Sequence, residues 1–324
     1  MELNKVHNID FLNNDLPDKC AKLIIADPPY YKTKGDFDFI WKTFDDYLVD
    51  VEKWAKECKR ILSDNGTLFW YGGSKNIAYA QIIFDKHFNL INNLTWNKGS
   101  FMGLEESEGL RSFAPCTERI LMYDNERGTY GTTDLLKLAG ESISPFARLM
   151  NKQMSKLKIT GSELAELQLS RNGNKTGWIS NKLSGSQIPT IEQWKLISDK
   201  LEIKSNYEEL KEQREKEKTE YLKIQRPFNN RFNLQEVLNF SNEAVKVGNK
   251  YDHDTVKPET LTRALILTCS RENDLVIVPF AGSGTECAMS AKEKRPFVGY
   301  EITKKHAEMS QKRANKILSE PTMF

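Results

Sequence analysis

Asp274-Leu275-Val276-Ile277-Val278-Pro279-Phe280-Ala281-Gly282-Ser283-Gly284-Thr285 decides the fold. Asp274 to Val278 reads as a buried strand, Gly282 and Gly284 make a permissive turn, and Glu286 to Glu293 reads as helix. Strand, glycine turn and helix form a nucleotide-type unit. The glycines let backbone approach a ligand, and the helix N-terminus faces an anionic group. A second strand, Pro296 to Tyr300, follows and ends in Glu301. An acid there, somewhat under ~20 residues past the glycines, has the reach to hold two ribose hydroxyls.

Far upstream, Leu23-Ile24-Ile25-Ala26 leads into Asp27-Pro28-Pro29-Tyr30 and Tyr31. The two prolines fix φ and donate no backbone hydrogen bond, so this rim offers acceptors, the Asp27 carboxylate and the Pro28 carbonyl. Tyr30 adds a face for stacking. Two acceptors over a stacking platform suit the exocyclic –NH2 of an aromatic base. A plain proline turn with a surface tyrosine is the bland alternative.

Together these motifs resemble one family, the S-adenosylmethionine-dependent DNA amino-methyltransferases acting on adenine N6 or cytosine N4. Asp-Pro-Pro-Tyr comes first and Phe-Ala-Gly-Ser-Gly-Thr last, the permuted order called the β class. Further segments carry the likeness. Asp10-Phe11 sits where the family has an acidic residue near the cofactor adenine. Trp96-Asn97-Lys98 is similar to its Trp-x-Lys. Glu118-Arg119-Ile120-Leu121 is similar to its His-Glu-x-Ile-Leu strand, with Thr117 in place of His. His253-Asp254-Thr255-Val256-Lys257-Pro258 is similar to its His-Pro-Thr-x-Lys-Pro, with Asp254 in place of Pro. The match covers roughly residues 1–125 and 250–310. It departs at Val278, where the family usually carries Asp.

The resemblance implies a doubly wound, mostly parallel, Rossmann-like α/β sheet with ligands outside the carboxyl ends of its strands. Asp27, Pro28, Pro29 and Tyr30 would serve the target amine. Asp10, Phe11, Lys257, Pro279, Phe280, Ala281, Gly282, Ser283, Gly284, Thr285 and Glu301 would serve S-adenosylmethionine. The implied reaction is methyl transfer to adenine N6 of a flipped-out base in double-stranded DNA. Cytosine N4 is the main alternative, commonly with Ser at position 27. RNA or protein amide methylation would place the glycines before the Pro-Pro-Tyr motif. A dinucleotide oxidoreductase would need a third glycine where Cys287 stands.

Between the motifs the chain reads as alternating strands (4–8, 22–26, 67–71, 90–96, 119–123) and helices (45–62, 74–87). In the helix over 45–62, Leu48, Val51, Trp54, Ala55, Cys58 and Ile61 share one face. Because the Asp27 motif and the glycine turn would serve one reaction, both chain ends are expected to build one catalytic domain, residues 1–127 and 251–324. Residues 128–250 form a mainly helical insert richer in Lys, Ser and Asn. Within it, a helix start at Ser162, the polar loop Gly173–Gly177, a short helix at Trp178–Leu183 and a proline-opened helix at Pro189 resemble a helix-turn-helix. Residues 150–185 carry six basic and two acidic side chains, enough for a phosphate-contacting face with Arg171, Lys175 and Lys182. Lys98 joins them as an expected DNA contact. A regulator using this module alone is the non-enzymatic alternative.

The 324 residues suffice for such a domain plus a module, and the composition, 28% charged and 39% hydrophobic, is globular. A net charge of +2 confines any nucleic-acid surface to a local patch. Five scattered cysteines and four dispersed histidines suggest neither a disulfide framework nor a metal site, and a reducing cytoplasm is the expected home. No run approaches the ~18 apolar residues of a membrane span. Family members often dimerise, and a cognate restriction endonuclease is a further candidate partner.

Overall fold

A computed structural model describes residues 1–32, 38–99, 113, 115–125, 144–168, 173, 175, 177–185, 187–241 and 256–319. Arg171, His253-Asp254-Thr255 and, from the polar loop, Asn174 and Thr176 lie outside the described residues.

The chain opens with β1 (Lys5–His7) and β2 (Ala21–Ala26). Helix α1 (Phe44–Ile61) starts at a capping box in which Thr43 accepts from the Asp46 N–H and Asp46 accepts from the Thr43 N–H. Its buried face is Tyr47, Val51, Trp54, Ala55, Cys58 and Ile61. Then come β3 (Leu62–Gly73), α2 (Ile77–Phe84), β4 (Asn89–Asn97) and β5 (Thr117–Asp124). After the insert, β6 (Val237–Asn239) returns to the sheet. The insert supplies α3 (Pro145–Leu157), α4 (Gly161–Ala165), α5 (Ser180–Leu183), α6 (Ile191–Lys200) and α7 (Tyr207–Ile224). The chain ends with α8 (Glu259–Cys269), β7 (Val276–Val278), α9 (Thr285–Lys292), β8 (Phe297–Tyr300) and α10 (Lys304–Ser319).

Eight strands form one sheet in the order β1-β8-β7-β2-β3-β5-β4-β6. All run parallel except β5, which is antiparallel to β3 and β4. The central strands are apolar on both faces, as a sheet covered on both sides requires. Ile24, Ala26 and Ile277 pack into one layer with α1 and α2. Leu23, Ile25, Val276 and Val278 pack into the opposite layer with α8, α9 and α10. The two ends of the chain meet where Ile24 pairs with Ile277. From that border, β2 leads through α1 to β3 on one side, and β7 leads through α9 to β8 on the other. This is the switch point at which a doubly wound sheet opens a crevice.

Two compact units divide the chain: residues 1–127 with 226–324, and residues 128–225. The insert thus ends at 225 rather than 250, because β6 pairs with β4 and Trp96 Nε1 donates to the Phe240 carbonyl at 2.8 Å. The second unit has a core of its own, including Phe146, Met150, Leu164, Ile179, Trp194 and Ile197. Phe146 and Trp194 meet edge-on at 4.9 Å. Capping boxes at Thr160/Glu163 and Thr190/Gln193 start α4 and α6.

Candidate active site

Parallel strands present their carboxyl ends at one edge of a sheet, and an antiparallel strand presents its beginning there. Asp27 leaves β2 at this edge, Lys98 follows β4, and Glu118 opens β5 opposite Gly73 and Trp96. Lys257 arrives just before α8.

These four side chains bond to one another. Lys257 Nζ lies 2.7 Å from Asp27 Oδ2 and 3.2 Å from Glu118 Oε2. Lys98 Nζ lies 2.9 Å from Glu118 Oε1. The Tyr30 hydroxyl donates to Asp27 Oδ1 at 2.6 Å and approaches Glu118 Oε2 at 3.2 Å. Lys257 also sits 5.2 to 5.9 Å from the ring centroids of Tyr71, Tyr30 and Trp96. Two ammonium groups thus balance two carboxylates inside an aromatic box. A buried ion pair survives when further hydrogen bonds satisfy its partners, and these do.

Burial pushes the Asp27 carboxyl up and the Glu118 charge adds to that, while Lys257 holds it in check. Burial alone would lower Lys257, but Asp27 and Glu118 raise it above the ordinary lysine value, so it stays charged. Burial would raise Glu118 as well, yet Lys257 and Lys98 bring it below the usual carboxylate value. A third acid borders this group. Glu286, in the first turn of α9, is 4% exposed, and its Oε1 has no hydrogen-bond partner among the described residues. Burial, then the Asp27 charge, pushes it up to about 7.

The glycine turn lies beside this cluster in the sheet order. Gly282 and Gly284 have φ of +47° and +77°. A Cβ on Gly284 would stand 2.7 Å from Ser310 Cα, so only glycine fits there. Helix α10 fastens the turn. Ser310 Oγ donates to the Gly282 carbonyl at 2.7 Å, and Arg313 Nη1 donates to the Ser283 carbonyl at 3.1 Å and Thr285 Oγ1 at 2.8 Å. Glu301 accepts from the Gly282 N–H with one oxygen and the Thr303 N–H with the other, each at 2.9 Å. Each carboxylate oxygen keeps acceptor capacity for a hydroxyl. A glycine cradle, a helix N-terminus and an acid with spare lone pairs suit the donor set of a nucleoside cofactor with a carboxylate-bearing tail.

Asp10 is exposed and caps a short 3-10 turn by accepting from the Leu12 N–H, and Phe11 is buried against Phe280 and Tyr300. Pro279 and Ala281 are buried in the first turn after β7. Lys257, expected with the cofactor residues, has its ammonium on Asp27 and Glu118. Lys98, expected on DNA, is bonded to Glu118. Lys182 is buried and donates to Gln187 Oε1 at 2.6 Å, so its charge is internal to the second unit. Lys175 is exposed and paired with Glu166 at 2.8 Å. Sequence reading gave no role to Glu286, Asp38, Asn76, Ser310 or Arg313. Only the spacing of Glu118 within its strand motif hinted at a place in the cluster.

A family model described as DNA methylase, for N6 and N4 methyltransferases, matches residues 21–312. The chain therefore belongs to the N6/N4 DNA methylase family. It is 30% identical over 311 residues to the orphan methyltransferase M.BamHII of Bacillus amyloliquefaciens, covering 93% of this chain and 91% of that one. It is 25% identical over 318 residues to the type II methyltransferase M1.MboII of Moraxella bovis, covering 93% of each. TTHA0409 of Thermus thermophilus, solved with S-adenosyl-L-methionine, matches the fold with a TM-score of 0.51 at 17% identity. That alignment covers 97% of this chain and 96% of the other. Among the described residues, no helix is long and apolar enough to cross a membrane and no cluster of side chains could hold a metal ion.

Proposed function

We propose that this DNA methylase transfers the methyl group of S-adenosylmethionine to adenine N6 in double-stranded DNA. The observation that carries the reading is the Asp27 carboxylate at the open end of β2, beside the strand that ends in the glycine turn. The cofactor supplies a sulfonium methyl when bound.

The amino nitrogen of adenine is a poor nucleophile, because its lone pair is delocalised into the ring. Hydrogen bonds from its two N–H groups to Asp27 and the Pro28 carbonyl favour a more tetrahedral nitrogen and aim the lone pair. Asp27 already accepts from Lys257 and Tyr30, yet a carboxylate has about four acceptor sites, so a third donor can enter without expelling either. Its negative charge also favours the positive charge that develops on nitrogen. Positioning provides much of the acceleration, with no covalent enzyme intermediate. The target base is out of reach inside a duplex. It must flip out at a cost of a few kcal/mol, which stacking on Tyr30 offsets in part, at about 1–3 kcal/mol per base. Glu301 and the glycine turn hold the cofactor.

Asp rather than Ser at position 27 supports adenine over cytosine N4. The second unit, with exposed Lys175 and its helix-turn-helix-like sequence, is proposed to contact DNA and help choose the site. A homodimer and a cognate endonuclease remain candidate partners. The test is nucleoside mass spectrometry of duplex DNA treated with the chain and methyl-labelled cofactor. Labelled N6-methyladenine is expected. N4-methylcytosine would overturn the adenine assignment, and labelled RNA or protein with unlabelled DNA would overturn the reading as a whole.

A further inference from the structure

Tyr31 and Lys32, which follow the Asp27-Pro28-Pro29-Tyr30 turn, have φ of +62° and +50°. Two consecutive non-glycine residues in the left-handed region are disfavoured by their Cβ atoms. They persist only where the surroundings over-determine them, and such places concentrate at functional sites. The bonds that hold this turn are traceable. Pro28 and Pro29 have no N–H, so the first backbone donor after Asp27 able to anchor the turn is that of Tyr30. It donates to Asp38 Oδ1 at 2.6 Å. The Lys32 N–H donates to the Asp38 carbonyl, also at 2.6 Å. From the other side, Asn76 Nδ2 donates to the Tyr30 carbonyl at 3.0 Å. Both backbone groups of Tyr30 thus end on side chains from outside the turn. Asp38 is 3% exposed, a buried carboxylate whose bond to an N–H is charge-assisted. The Tyr31 ring packs against both Phe44 and Tyr47, at 5.2 and 5.8 Å, at the start of α1.

Resting on the reading of the Asp27 pocket as the target site, we infer that Asp38 is a positioning residue for methyl transfer. Through the Tyr30 N–H it sets where the Tyr30 hydroxyl meets Asp27, with Asn76 as the second hold. Asp38 and Asn76 hold the backbone of Tyr30, and the Tyr30 hydroxyl donates to Asp27, so Tyr30 links them to the charged cluster.

The test compares Asp38→Ala, Asp38→Asn and Asn76→Ala in the full chain, with Asp27→Ala as control. Single-turnover methyl transfer to duplex DNA is measured at saturating DNA, and S-adenosylmethionine affinity is measured by calorimetry. A displacement of about 1 Å can cost about a hundredfold, so Asp38→Ala should slow transfer by about tenfold or more while cofactor affinity stays within about threefold. Asp38→Asn keeps an acceptor oxygen for the Tyr30 N–H and should recover most of the rate. Asn76→Ala should slow transfer by several-fold. A rate per folded molecule unchanged in Asp38→Ala, with Asp27→Ala inactive, overturns the Asp38 inference alone. Should Asp38→Ala not fold, Asn76→Ala at the wild-type rate, or Asp38→Asn slowed by about tenfold or more, overturns it instead. If Asp27→Ala keeps transferring methyl, the pocket reading has failed first.

Discussion

Lys257 is 5% exposed on its side chain and neutralises two carboxylates, so its removal leaves uncompensated buried charge. Lys257→Met should cost about 3–5 kcal/mol of stability, read by urea unfolding. A loss under about 1 kcal/mol would mean the cluster is solvated. Glu286 gives a pH signature. Its folded value of about 7 stands above the ordinary 4.5, so the native state holds the proton more tightly than the unfolded chain. Glu286 therefore lowers stability progressively as pH rises from about 4.5 to about 7, by up to about 3 kcal/mol once ionised. Glu286→Gln cannot ionise. Its stability relative to wild type should improve between pH 5 and pH 8, whatever the absolute effect of the amide. An equal difference at both pH values would contradict this. At this scale the sequence was readable where neighbouring residues make a turn: Asp27 to Tyr30 after β2, and Pro279 to Thr285 after β7. It was unreadable where partners are distant. Lys257 is 230 positions from Asp27, and only the sheet brings them together.

The elements explain why Glu118 joins the site. Strand β5 runs against its neighbours, so its second residue stands at the edge where β2, β4 and β7 end. The resemblance of Glu118 to Tyr123 to a family strand identified β5 as a strand, but nothing in that apolar run showed its direction. The glycine turn, by contrast, was legible because its chemistry is local. Gly284→Ala should be destabilising by about 1–3 kcal/mol or more, since both φ and the Ser310 backbone oppose a methyl group. Thermal unfolding at fixed cofactor concentration checks it. Glu301→Ala removes the acceptor for two backbone N–H groups and should weaken S-adenosylmethionine binding by a few kcal/mol at most. Unchanged calorimetric affinity would remove Glu301 from the cofactor. Helix α8 escaped the sequence reading because it is buried nearly all round, and such a helix shows no amphipathic stripe. Strand β6 escaped because three residues carry no period.

For the whole molecule, the sequence pointed correctly to one sheet built from both ends, because the Asp27 motif and the glycine turn were read as serving one reaction. What it could not show was which insert charges face water. Lys175 and Lys182 look alike in sequence, yet one is exposed and the other buried. Neutralising Lys175 should therefore flatten the salt dependence of DNA binding by about one unit of slope, while Lys182→Gln should leave the slope unchanged. Equal effects from the two would contradict this division. The central claim is that Asp27 serves the target amine and the glycine turn serves the cofactor, at one sheet edge. The measurement that tests it most directly pairs two readings on Asp27→Ala, methyl transfer to duplex DNA and calorimetric S-adenosylmethionine affinity. The account predicts that transfer is lost and that affinity stays within about threefold, since the substitution removes no cofactor bond. Transfer that persists, or affinity that falls by about tenfold or more, would contradict it.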